Sequence, residues 1–240
     1  MRRSSLVSLL TVGLILSGCV RSASSLWGGA GNATPLPIPT PGPTGFPLNV
    51  GSTWIYDYSS RFEDEEASWN VMDTIIEVAN SDGFLVATVE QVVTPKSGDT
   101  DEDFLNGPET KNFWYLYDGV RLYKVDEEPD PIDLTEAWLE LVFPLTKPGC
   151  WFPDALQRKE MGGVVTASAP VAGCRAVSGA AHTVENPAGM FTNCLDVVTP
   201  YESGPIVITF CPGIGIVATR FEPDETYFSY YSTLTGYILP

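Results

Sequence analysis

The chain has 240 residues, 44% of them hydrophobic, enough for one large domain or two small ones with a real core, and this composition excludes wholesale disorder. Its formal net charge is −17, from 30 acidic and 13 basic residues. Such a surface repels nucleic acid and anionic headgroups, so polyphosphate partners are excluded, while solubility, cationic partners and divalent ions all suit it.

Arg2 and Arg3 form a positive n-region, and Leu6 to Leu16 an apolar h-region of eleven residues. A membrane span needs ~20 residues, so this stretch reads as a cleaved export signal. Leu16-Ser17-Gly18-Cys19 resembles the lipobox of bacterial lipoproteins. That resemblance implies a signal peptide over residues 1–18. It also implies Cys19 as the first mature residue, carrying a thioether-linked diacylglycerol with palmitate-type chains as its membrane anchor. Val20 stands where the inner-membrane retention signal would place Asp. The expected location is the extracytoplasmic side of the cell envelope, at the outer membrane if the cell has two membranes.

Residues 19–45 read as a lipidated tether rich in Ser, Gly, Ala and Pro. Prolines at every second position from Pro35 to Pro43 favour polyproline II, at ~3.1 Å per residue a spacer of roughly 28 Å.

The folded domain is expected over 46–240. After the Val50-Gly51 turn, Trp54, Tyr56 and Tyr58 alternate with Ile55 and Asp57, a strand with one aromatic face. Asn70 to Ala79 and Phe84 to Val93 are β-rich runs split by Asn80-Ser81-Asp82-Gly83, a hairpin signal. Phe113 to Tyr117 and Val120 to Val125 flank Asp118-Gly119, a pair suited to a type I′ turn. Lys96 to Lys111 and Asp126 to Asp133 read as acidic loops.

Asp133 to Phe143 is the one expected helix, with Asp133 as N-cap, Glu136 three residues on, and Leu134, Trp138, Leu141 and Val142 on one face. After Pro144 the β pattern returns. Strands are expected at Val164 to Ser168, around His182, from Met190 to Val198, Ile206 to Cys211, Gly215 to Phe221 and Tyr227 to Leu239. The fold class is therefore mainly β. Ten to twelve short strands form an antiparallel meander curled into a half-barrel or a sandwich, with one short helix.

Besides Cys19 there are four cysteines, an even number in an exported chain, and four allow three disulfide connectivities. Sequence symmetry favours two local bridges. Cys194 and Cys211 are centred on the turn-rich Pro200 to Pro205, and Cys150 and Cys174 on Gly162. No CxxC or Cys/His cluster is present, which argues against redox catalysis and structural zinc.

Three segments resemble a broad group of uncharacterised bacterial lipoproteins. Phe46-Pro47-Leu48-Asn49-Val50-Gly51-Ser52-Thr53-Trp54-Ile55-Tyr56 is similar to its FPLxVGxxWxY opening. Asn186-Pro187-Ala188-Gly189-Met190-Phe191-Thr192-Asn193-Cys194 is similar to its PAGxFxNC strand, with Met190 replacing the usual Thr. Cys211-Pro212-Gly213-Ile214-Gly215-Ile216-Val217 is similar to its PGxGxV segment. The resemblance implies a lipoprotein-carrier-like half-barrel with an apolar concave face and no catalytic residues.

The remaining chemistry-bearing residues are weighed one by one. Gly213-Ile214-Gly215 lacks the strand before and helix after that a dinucleotide fingerprint needs. His182 is the single histidine, and no Gly-x-Ser-x-Gly elbow accompanies it. Asp99, Asp101 and Asp103 alternate as calcium ligands do, but Phe104 and Thr110 stand where an EF-hand loop expects Gly and Glu. Asp126, Glu127, Glu128 and Asp130 read as a solvated acidic loop, and no carboxylate pair is marked out for hydrolysis. No metal, cofactor or catalytic residue is expected.

The aromatics carry more information. Most should be core and cross-strand pairs, and Trp54, Tyr56, Trp114, Tyr117 and Tyr230 are the candidates for a concave binding face. The reading that follows is a non-enzymatic, lipid-anchored envelope protein binding a hydrophobic small molecule. The alternative is an accessory interaction subunit docking on another envelope protein. A hydrophobic carrier requires an apolar cavity of several hundred Å³; an interaction module requires an exposed patch instead.

Overall fold

The computed structural model describes residues 45–62, 65–97, 108–145, 149–154, 158, 171–221, 223 and 228–240. Cys19, most of the tether, Asp99, Asp101, Asp103, the expected strand at Val164 to Ser168, and Tyr227 lie outside the described residues. No described helix is long and apolar enough to cross a membrane.

Twelve strands form one antiparallel sheet. They are β1 (Thr53–Phe62), β2 (Glu65–Ser81), β3 (Phe84–Ser97), β4 (Glu109–Tyr117), β5 (Arg121–Val125), β6 (Trp138–Val142), β7 (Cys150–Trp151), β8 (Arg175–Asn186), β9 (Gly189–Thr199), β10 (Ile206–Cys211), β11 (Gly215–Phe221) and β12 (Phe228–Ile238). Their spatial order is β6-β5-β4-β3-β2-β1-β12-β11-β10-β9-β8-β7. Two six-strand meanders thus meet at the β1–β12 ladder, and the sheet curls until its outer strands, β6 and β7, approach each other. Closure is nearly complete, which leaves few unpaired edge groups. One backbone bond spans the seam, from Leu139 N to Pro153 O at 2.9 Å.

Local chemistry sets the hairpins. Between β2 and β3 the two-residue turn Asp82-Gly83 has φ of 49° and 85°, the positive pair a type I′ turn requires. At Asp118-Gly119 the expected type I′ turn is not formed. Asp118 N bonds to Arg121 O, so Gly119 and Val120 are the central residues, and Gly119 alone of the two has positive φ, which is the II′ pattern. Asp118 instead turns its carboxylate back onto Val120 N and Arg121 N at 3.0 and 2.7 Å.

The expected helix over Asp133 to Phe143 is absent. Asp133 Oδ1 accepts Thr135 N at 2.8 Å, closing a turn two residues on, and Trp138 to Val142 then pair with β5 as β6. The run Trp138-Leu-Glu-Leu-Val142 fits both periodicities because it is short, and an unpaired neighbouring strand decides between them. A register shift opposite Leu122 and Tyr123 makes Glu140 the extra residue of a bulge, and Leu139 and Leu141 on either side of it are both buried.

Because adjacent strands alternate direction, every connection emerges at one of two ends. Gly45 to Ser52 and the β2–β3, β4–β5, β8–β9 and β10–β11 turns lie at one end. There Phe46, 3% exposed, plugs the barrel: its ring meets Trp54, Tyr115 and Phe210 at centroid distances of 5.6, 5.3 and 6.3 Å. Gly213 N donates to Gly45 O beside it. A Cβ on Gly215 would stand 3.3 Å from Phe46 Cε2 and 3.4 Å from Trp54 Nε1, and its φ is +108°, so the plug needs glycine there. At the opposite end the β5–β6 connection carries Asp126, Glu127, Glu128, Asp130, Asp133 and Glu136.

Two disulfides join neighbouring segments. Cys150 bonds Cys174, and Cys194 on β9 bonds Cys211 on β10. Each closes a short loop and contributes roughly 3 kcal/mol on the loop-entropy estimate.

Candidate functional site

The barrel interior is packed at the plug and hollow beyond it. A cavity of about 210 Å³ lies between the Phe46 plug and the acidic end. Alternation along the strands aims Tyr56 and Tyr58 of β1, Asp73 of β2, Gln91 of β3, Phe113 and Tyr115 of β4 and Lys124 of β5 into it. Trp138, Glu140, Arg175, Ile206, Ile208, Ile216, Thr219, Tyr230 and Ser232 complete the wall. Glu140 faces inward with Trp138, two residues before it on β6.

The four charged groups are not equivalent. Arg175, 2% exposed, donates from Nη1 to Glu140 Oε2 at 3.0 Å and to Glu140 O at 2.9 Å, and from Nε to Thr199 Oγ1 at 2.9 Å. Its guanidinium also lies 5.7 Å from the Trp138 ring centroid. That pair is internally satisfied. Asp73 Oδ1 accepts Gln91 Nε2 at 2.8 Å and has no ion-pair partner among the described residues. Lys124 Nζ stands 4.3 Å from the Phe113 ring centroid, likewise without a carboxylate within 4 Å among the described residues.

Burial raises the Asp73 carboxyl above its ordinary value, against the opposing pull of the Gln91 hydrogen bond and the Lys124 and Lys111 charges. Burial likewise lifts the Tyr56 and Tyr115 phenols well above their usual range, and those of Tyr58 and Tyr230 in the same direction. The tyrosines are therefore neutral hydroxyls at physiological pH, able to donate and accept.

The candidate aromatic residues divide by position. Tyr56 and Tyr230 line the cavity, and Tyr56 donates its hydroxyl to Ile216 O at 3.0 Å. Trp54, 2% exposed, belongs to the plug and donates Nε1 to Ile214 O at 2.7 Å. Tyr117 is buried with its hydroxyl on Gly119 O and its ring edge-on to Phe143. Trp114 lies on the opposite face of β4 from Phe113 and Tyr115. Reading for aromatics passed over Asp73, Gln91, Lys124, Glu140 and Arg175. For Asp73 and Gln91 a signal was present, since a polar residue recurring at the inward position of an otherwise apolar strand (Val71-Met-Asp73-Thr-Ile75; Val89-Glu-Gln91-Val-Val93) marks a wet interior.

Other clusters are less organised. Asp126 to Glu136 frame an open acidic depression, and no group of three or more potential metal ligands is present among the described residues. His182 Nε2 lies 3.8 Å from Asp196 Oδ1 on an exposed stretch of β8.

Fold and site define a nearly closed antiparallel β barrel, plugged at one end, with a polar and charged interior. No family model matches the chain, and no curated protein matches it. Among solved structures, a candidate lipoprotein of Parabacteroides distasonis ATCC 8503 is similar, with 13% identity over 81% of this chain and 98% of that one, at a TM-score of 0.47. A candidate exported protein of Bacteroides fragilis NCTC 9343 with a YmcC-like fold shows 13% identity over 80% of this chain and 98% of its own, at a TM-score of 0.41.

Proposed function

We propose that the protein is a non-enzymatic, lipid-anchored component of the cell envelope whose β domain binds a small ligand inside the barrel. The observation that carries this reading is the cavity: a hollow with free polar groups in a barrel whose other end is sealed by Phe46. The lipobox-like Leu16 to Cys19 and the two disulfides support an extracytoplasmic place. Gly45, the first described residue, lies on the plugged end, where its carbonyl accepts Gly213 N.

The expected hydrophobic carrier requires several hundred Å³ of apolar space. The cavity is smaller and holds four charged side chains, which moves the ligand from greasy to polar. Of its two carboxylates, Glu140 is committed to Arg175, leaving Asp73 without the second free carboxylate that paired acid–base hydrolysis uses.

Native mass spectrometry of the exported full-length chain, released from detergent micelles, tests the reading. A small molecule retained by the folded protein and shed on unfolding is the expected result. A clean apo mass from chain purified out of its native envelope would defeat it and favour the interaction-subunit reading, for which the acidic end is the supporting surface.

A further inference from the structure

We propose that the cavity is a site for a small zwitterion, a free α-amino acid or close analogue, with Asp73 receiving the ammonium and Lys124 the carboxylate. The inference rests on the binding reading above and specifies its ligand chemistry.

The argument begins with charge balance. Asp73 and Glu140 face Lys124 and Arg175, so the lining is formally neutral. Glu140 and Arg175 satisfy one another at 3.0 Å. Asp73 and Lys124 do not meet: each is aimed at the cavity, and no ion pair joins them to any described residue. Both are half-buried, Asp73 with Gln91 as its hydrogen-bond partner and Lys124 against the Phe113 ring face, so each keeps the capacity for a charge-assisted contact that a ligand can supply. A simple cation would pair Asp73 and leave Lys124 as it is; a simple anion would do the reverse. A zwitterion pairs both at once and adds no net charge to a neutral pocket.

Size and walls agree. At about 210 Å³ the space falls below the ~300 Å³ at which drug-sized pockets begin, and suits a solute of amino-acid size. Ile206, Ile208 and Ile216 offer an apolar wall to a side chain, while the Tyr115 and Tyr230 hydroxyls can take the remaining polar hydrogen bonds. The acidic β5–β6 connection, Asp126 to Glu136, favours the approach of an ammonium over a carboxylate.

The test is calorimetric titration of the full-length chain in detergent with L-alanine, L-valine and L-leucine, using isobutylamine and isobutyrate as single-charge controls. The expected result is that at least one amino acid binds about tenfold tighter, or more, than either control, a difference of ~1.4 kcal/mol. Asp73→Asn and Lys124→Met should each weaken that binding about tenfold while keeping cooperative unfolding. Controls that bind as well as the amino acids, or amino acids that do not bind, overturn the proposal on the unmodified protein, whatever the variants do. If no amino acid binds but another small molecule is retained in native mass spectrometry, the zwitterion falls and the binding reading stands. If nothing is retained, both fall.

Discussion

Arg175 on β8, beside the two-residue edge strand β7, and Glu140 at the bulge of the other edge strand, β6, bridge the seam of the sheet, with Nη1 3.0 Å from Oε2 and 2.9 Å from the Glu140 carbonyl. The barrel is thus closed by a side-chain pair where a strand ladder would otherwise run, helped by the Leu139–Pro153 bond and by Arg158, whose guanidinium donates to Ala137 O and Pro153 O. Removing one member of a buried pair strands the other. Arg175→Met should cost about 3 kcal/mol, read from denaturant unfolding. In Arg175→Met/Glu140→Gln part of that loss should return, since neither charge is then left alone. A single variant as stable as the wild type would show that the seam is held elsewhere.

Gly215 is the second point of sensitivity. A methyl there meets the Phe46 ring and the Trp54 indole at a backbone angle that L-residues avoid, so Gly215→Ala should lose roughly 1–3 kcal/mol. Phe46→Ala removes the plug itself and should cost about 3–5 kcal/mol. Thermal melts followed by near-UV circular dichroism check both. Equal melting temperatures for Gly215→Ala and wild type would refute the close approach.

Stability should also respond to pH through Asp73. Its carboxyl is raised in the fold by burial, so the folded state holds that proton more tightly than the unfolded chain. Stability from this group is full below the unfolded value of ~3.9 and is lost as pH rises through the raised folded value. Asp73→Asn keeps the Oδ1 acceptor for Gln91 and abolishes the titration. It should melt higher than wild type near pH ~7, with the gap narrowing as pH approaches ~4. A gap that widens on acidification contradicts the assigned direction.

The Cys194–Cys211 bridge spans a separation of 17 residues between β9 and β10. Its removal as Cys194→Ala/Cys211→Ala should lower unfolding free energy by about 3 kcal/mol. Thiol counting on the unfolded, unreduced chain should find Cys150, Cys174, Cys194 and Cys211 blocked. Free thiols at Cys194 or Cys211 would rule the bridge out.

Much of the barrel was legible in the chain. Period-two alternation in Trp54 to Tyr58, the Asp82-Gly83 turn and the turn-rich Pro200 to Pro205 are local signals, and local sterics alone give them their conformations. Trp138 to Val142 reads as helix in the sequence because a short apolar run satisfies two periods, and only the presence of β5 beside it selects strand. The site was less legible still. Tyr56 and Tyr230 were marked as aromatic candidates, but the charged lining was not, because the partners come from β2, β5, β6 and β8.

What the sequence by itself determined is most of the strands, the position of the hairpin turns, the cysteine count and the acidic character of particular connections. Tertiary structure decided which of those residues share a cavity. A one-residue shift of register turns a side chain from one face of a sheet to the other, so the inward aim of Trp138 and Glu140 depends on the register in which β6 pairs with β5. The meeting of Glu140 with Arg175, 35 positions away, depends on the whole sheet curling shut. Those are properties of closure, and no local window of the chain contains them.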